Sequence, residues 1–213
     1  MKAFVSLLIE NGSQVHPSHM GALALASALA LAPVGCSSAE PSVGADAGGT
    51  FTAYQADFQT YRAWQSFTFE GKAVPDSPHA VAGVRTEYIN HLPPKGATAF
   101  PVGTIIVKVL DDDPALQTFA MVKVGGGYNP DGAKDWEWYE LLNDADESVT
   151  IRWNGAIAPQ GDPYASSPVS CNDCHSQAAS TDYVQSGALN LARLNSGAPF
   201  DGGVLDALDG ASE

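Results

Sequence analysis

Cysteine is nearly absent from this chain: three residues in 213, alongside five histidines and three methionines. A structural zinc site needs four ligands, usually Cys and His at finger-like spacing, and no such cluster is offered. Basic residues are few as well. Ten Lys and Arg against 24 Asp and Glu leave a net charge of −14, scattered except at Asp111-Asp112-Asp113. Such acidity argues against nucleic acid or an anionic membrane surface as partner. No apolar run is long enough to span a bilayer; the alanine- and leucine-rich stretch from Gly21 to Val34 is too short. What the length permits is one domain with a real core, plus a leader and a tail.

The leader is residues 1–35. Its apolar run is followed at once by Gly35-Cys36 and then by small and polar residues. This is similar to a bacterial lipoprotein signal, in which Cys36 becomes the acylated first residue and the membrane is touched only through that lipid. Pro33 stands where such signals usually carry Leu, and Lys2 lies far from the apolar run. Cleavage as a simple secreted protein is the alternative, and either route exports the chain to the periplasm. Residues 36–49 read as a flexible tether, 50–186 as the main domain, and 187–213 as a short helix with an acidic tail.

Within the domain, Phe51, Tyr54, Phe58, Tyr61 and Gln65 fall at helical spacing, with Trp64 and Phe67 widening the face, so the pattern predicts an amphipathic helix over 51–66. Lys72 to Ala82 is a Pro-containing loop that carries His79. Five strands are predicted: 81–90, 104–110, 118–124, 135–142 and 149–153. In the first, Val84, Thr86 and Tyr88 share one face and Arg85, Glu87 and Ile89 the other. In the second, Lys108 is an oddity, on the face of Thr104, Ile106 and Leu110. Lys123 repeats it beside Phe119 and Met121. Gly155 to Ser170 reads as loop, a short helix is expected from His175 past Tyr183, and another turn over 189–194. The expected fold class is α+β, mainly β: an antiparallel sheet of about five strands flanked by a few helices.

The two remaining cysteines sit together in Cys171-Asn172-Asp173-Cys174-His175. C-x-x-C-H is the signature of covalent c-type haem attachment, with both thiols bonded to the ring and His175 as the iron ligand. The competing readings are a thiol redox pair, a disulfide, or half a zinc site. With haem c as cofactor, function turns on the iron's other face. No Met follows the motif, which excludes the usual small cytochrome c arrangement. Met121, His79 and His91 are the other candidates, read as core packing for the first and solvated loop for the two histidines. Open iron, suited to chemistry or gas binding, is the expectation; electron transfer through a six-coordinate haem with Met121 is an alternative.

The ordered set Tyr61-Arg62-x-Trp64, Gly83-Val84-Arg85-Thr86-x-Tyr88-Ile89-Asn90, Phe100-Pro101-x-Gly103-Thr104-Ile105-Ile106-Val107-Lys108, Met121-Val122-Lys123, Asp135-Trp136-x-x-Tyr139 and Cys171-x-x-Cys174-His175, with Asp182-Tyr183-Val184 after it, resembles the cytochrome P-460 family from about residue 51 to 185. The resemblance implies a small β-rich periplasmic mono-haem protein, commonly a homodimer, that oxidises hydroxylamine and passes electrons to a redox partner such as a soluble cytochrome c. Related cytochromes c′-beta bind nitric oxide instead. It also implies that Cys171 and Cys174 bind the haem, that His175 ligates iron, that Lys108 bonds to the macrocycle, and that Arg85 lies near the pocket. For Lys108 the alternatives are snorkelling or pairing with a carboxylate; for Arg85, a surface strand arginine. A distal base would help remove substrate protons, yet the segment before the motif, Tyr164 to Ser170, has only Asp162 nearby.

Overall fold

In the computed structural model the described residues are 49–71, 83–110 and 118–200. They build one antiparallel sheet whose six strands lie in chain order: β1 (Gln65–Gly71), β2 (Gly83–Ile89), β3 (Ile105–Leu110), β4 (Thr118–Lys123), β5 (Trp136–Asn143) and β6 (Val149–Gly155). The class is mainly β with a few short helices, as expected, but the strands number six rather than five.

The extra strand replaces the end of the predicted helix over 51–66. Helical structure there is confined to α1 (Gln55–Phe58) and a 3-10 turn at Tyr61–Ala63. Gln65 already pairs with Ile89 across the β1–β2 ladder. From Ser66 onward exposure alternates, with Phe67 and Phe69 buried between exposed Ser66, Thr68 and Glu70, which is the period of a strand. The aromatic spacing upstream had a different origin. Phe58 and Tyr61 are fully buried one turn apart, whereas Tyr54 is 68% exposed.

The sheet is a middle layer, buried on both faces. One face presents Ile105, Val107, Val109, Ala120, Val122, Tyr139 and Leu141 to Ala53, Phe58 and Tyr61 of the N-terminal segment. The other presents Phe67, Phe69, Ile89, Ile106, Met121, Trp136, Trp138 and Trp153 to Tyr164, Val184, Ala188, Leu189 and Leu191 of the C-terminal segment. Burial on both sides explains why β3 and β4 read as nearly continuous apolar runs. It also explains why their two lysines stand out, since both point to the C-terminal side.

That side is covered by α2 (Cys171–His175), a 3-10 stretch over Ser176–Thr181, and α3 (Leu191–Ser196). The helix expected from His175 past Tyr183 therefore starts four residues earlier and stops short of Tyr183. Ser170 caps it by accepting from Asp173 N, and Asp173 reaches back to the Ser170 backbone, a reciprocal cap. Asp182 and Tyr183 both take left-handed φ, 54° and 66°, which no helix continues through. The tail expected from Asn195 is tied down through residue 200. Asn195 Nδ2 donates to Ala97 O, its Oδ1 accepts from Gly96 N, and Phe200 packs edge-on against Phe67 and Phe69. The expected loop from Gly155 to Ser170 is turns and loop after Gly155, which ends β6.

The leader, Cys36, nearly all of the tether, the loop carrying His79, Asp111–Asp113 and residues 201–213 lie outside the described residues. Among those described, no helix is long and apolar enough to cross a membrane.

Candidate functional site

Helix α2 sets the spacing of the motif. Cys171, Cys174 and His175 are at positions i, i+3 and i+4, so their side chains emerge on one face of the turn. Both thiols are free rather than joined in a disulfide. Cys171 packs against the apolar cluster on the C-terminal side of the sheet. Burial pushes its thiol up to about 12, against the pull of the Lys108 ammonium. Cys174 is raised as well, by burial and then by the Asp173 carboxylate. A thiol redox pair needs the opposite shift, toward a stable thiolate.

His175 is oriented from behind. Its Nδ1 lies 2.7 Å from the carbonyl oxygen of Tyr183. A carbonyl can only accept, so Nδ1 carries the proton and Nε2 is left with its lone pair. Burial, assisted by the Lys108 charge, pushes the imidazole down to about 4, so it is neutral at physiological pH. The Trp138 ring stands 4.6 Å from the His175 ring. Among the described residues, no three His, Cys, Asp or Glu side chains converge on a point that could hold a bare metal ion.

Asn172, one of the two spacer residues, locks this turn to the sheet. Its Oδ1 accepts from Asn129 Nδ2, Ala133 N and Trp138 Nε1 at 2.8, 3.2 and 3.0 Å. Its Nδ2 donates to Asn129 Oδ1 and Ala156 O at 3.0 and 3.1 Å. Every polar atom of a part-buried amide is thereby used.

Neither a family model, nor a curated relative, nor a solved structure matches the chain. The likeness to cytochrome P-460 rests on the residues alone.

Lys108 faces the same side as the motif. It is opposite Glu87 on β2 and Phe119 on β4. Burial, then the nearby Arg85 cation, pulls its amine down to about 8; Glu87, Cys171 and Cys174 act against that. Arg85 is 6% exposed, not the surface strand arginine of the alternative reading, and burial lowers its affinity for the proton. The fold thus brings Lys108 within electrostatic reach of Arg85, Cys171, Cys174 and His175. Met121 lies in the same apolar cluster, between Ile106 and Trp138 on neighbouring strands. His91 follows β2; it is half-buried rather than solvated, with Nε2 3.4 Å from Thr104 Oγ1.

Buried carboxylates were not singled out by sequence; Glu140 is held by Arg152 and Trp153, and two others matter more here. Glu87 is 7% exposed, accepts a hydrogen bond from Ser186 Oγ, and has its carboxyl pushed up by burial against the pull of Ser186, Lys108 and Arg85. Its place on the face of Arg85 and Ile89 was readable from alternation. Asp182 is paired with Lys123 across 59 positions, and nothing local announces that partnership.

Proposed function

We propose that this chain is a c-type haem protein of the cytochrome P-460 kind, an exported oxidoreductase acting on hydroxylamine or a related small nitrogen species. The observation that supports this most is the single turn of α2, which offers two free thiols and a neutral imidazole whose Nδ1 is tied to Tyr183, leaving Nε2 for a metal. The residues fit the group. Cys171 and Cys174 would hold it covalently, His175 would ligate its iron, and the apolar cluster against Cys171 would shield it from water. Haem, when bound, supplies the centre that exchanges electrons with substrate and with a soluble cytochrome c.

The rest is work for the chain's own side chains. Removing hydrogen from hydroxylamine releases a proton with each electron, so an acceptor is needed. Glu87 is a buried carboxylate on the motif's side of the sheet that faces Lys108, and Ser186 fixes its orientation, whereas Glu140 on the same side is taken up by Arg152 and Trp153. Arg85, beside it, can pair with an anionic intermediate or with a carboxylate of the cofactor. Lys108, whose amine burial pulls down to about 8, would face the group from the sheet opposite Cys171 and Cys174. A second reading, capture of nitric oxide without turnover, is favoured by the same Glu87: burial disfavours the ionised carboxylate that would have to take the proton.

The test begins with the full chain produced in a host that attaches c-type haem. Colour that survives acidified organic solvent, and is lost in C171A/C174A, is expected; its absence would overturn the haem reading. Hydroxylamine-dependent reduction of a soluble cytochrome c then separates the oxidase from the capture protein, which would bind nitric oxide and reduce nothing.

A further inference from the structure

We infer that Lys123 is a positioning residue for His175, acting through Asp182 and the backbone of Tyr183. Lys123 Nζ is 2.6 Å from Asp182 Oδ1, and both side chains are buried. The other carboxylate oxygen accepts from Phe100 N at 2.8 Å. The Asp182 carbonyl accepts from Trp136 Nε1 at 2.9 Å, while the Lys123 ammonium stands over that same Trp136 ring at 5.0 Å. Three separate elements, β4, β5 and the loop before β3, therefore grip this one residue.

What they hold is a conformation the chain would otherwise avoid. Asp182 and Tyr183 are consecutive non-glycine residues with left-handed φ of 54° and 66°, a pair that persists only where its surroundings over-determine it. That kink turns the chain after Thr181 so that the Tyr183 carbonyl points back at His175 Nδ1. Tyr183 N bonds Ala178 O at 2.7 Å, and Thr181 Oγ1 bonds Val184 O at 2.8 Å, which closes the loop. A buried ion pair contributes little net stability, because desolvation offsets the attraction. Its value here is geometric: it fixes the strap whose carbonyl selects the Nδ1–H tautomer of His175 and leaves Nε2 with its lone pair.

The purpose of this device rests on His175 being the haem ligand, but the device can be tested without haem. The full chain, produced without haem attachment and labelled with nitrogen-15, is examined by long-range proton–nitrogen correlation of the histidine rings. Wild type should show His175 as the Nδ1–H tautomer, its ring proton exchanging slowly. In Lys123→Met and Asp182→Asn, that proton should exchange at least tenfold faster and the two tautomers should mix. Lys123→Arg, which keeps the charge, should restore the wild-type pattern. An Nε2–H tautomer in wild type would overturn the inference, as would folded Asp182→Asn protein with an unchanged His175 ring. Loss of amide dispersion in all three variants would also overturn it, since the pair would then serve the core and not the histidine. Failure of the haem reading shows separately, as a chain that takes up no haem.

Discussion

Glu87 and Lys108 stand directly opposite one another across the β2–β3 ladder, on the side of the sheet that the Cys171–His175 turn covers. Each is shifted by burial toward its neutral form, and each partly restrains the other's shift. For Lys108 the folded value, about 8, lies below the ordinary 10.5. The folded chain therefore binds fewer protons than the unfolded one between those values, and stability rises with pH across that window. Lys108→Met should abolish this rise and gain about 1–2 kcal/mol at pH 7. Denaturant unfolding of both proteins at pH 7, 9 and 10 checks it; parallel curves would mean Lys108 is solvated.

Glu87 gives the mirrored behaviour. Its folded carboxyl is raised above the ordinary 4.5, so the folded chain keeps a proton that the unfolded chain releases. Stability must fall as pH rises from 4.5 to the folded value. Glu87→Gln keeps an acceptor for Ser186 and removes the titration. It should flatten the acid side of the stability profile and, in the haem-loaded protein, lower hydroxylamine turnover by about tenfold or more. Unchanged turnover would leave the proton acceptor to be sought elsewhere, with Asp162 next in line.

Asn172 should be the costliest of the motif's variable positions. Removing its amide in Asn172→Ala leaves Trp138 Nε1, Ala133 N and the Asn129 amide short of a partner, at about 2–4 kcal/mol. Gly132→Ala attacks the same joint from the other side, because a Cβ there would overlap the Asn172 amide. Both variants should melt lower than Asp173→Ala, whose side chain serves only the part-buried cap with Ser170 and an exposed bond from Ser167. Thermal unfolding of the three proteins ranks them.

The architecture was largely legible because its signals are local. Alternation in 83–89, the β-branched run at 105–110 and the aromatic strand at 136–143 each announce themselves within a few residues. The 51–66 segment misled because Phe58 and Tyr61 satisfy helical spacing while packing beneath a sheet, and β1 starts within its last turn. In the site, the cysteines and His175 come from a five-residue pattern, Lys108 from its odd place on a strand, and Arg85 from the family resemblance. Asp182, Asn172 and Ser186 could not be found that way. Their partners Lys123, Asn129 and Glu87 are 59, 43 and 99 residues away, and only the folded sheet brings them together.

Thiol alkylation separates haem attachment from thiol redox chemistry in the unloaded chain. Alkylation requires thiolate, and the Cys171 thiol is pushed up to about 12 by burial in the apolar cluster. Cys174 is raised too, but it lies outside that cluster's packing. At pH 7, iodoacetamide should therefore label Cys174 first and Cys171 last, both at least about tenfold more slowly than a free cysteine. Peptide mass spectrometry over a time course gives the order. A Cys-x-x-Cys redox pair behaves in the opposite way, since its first cysteine is the exposed, low-pKa nucleophile. Rapid labelling of Cys171 at neutral pH would move the motif out of haem chemistry, whatever the strands opposite it carry.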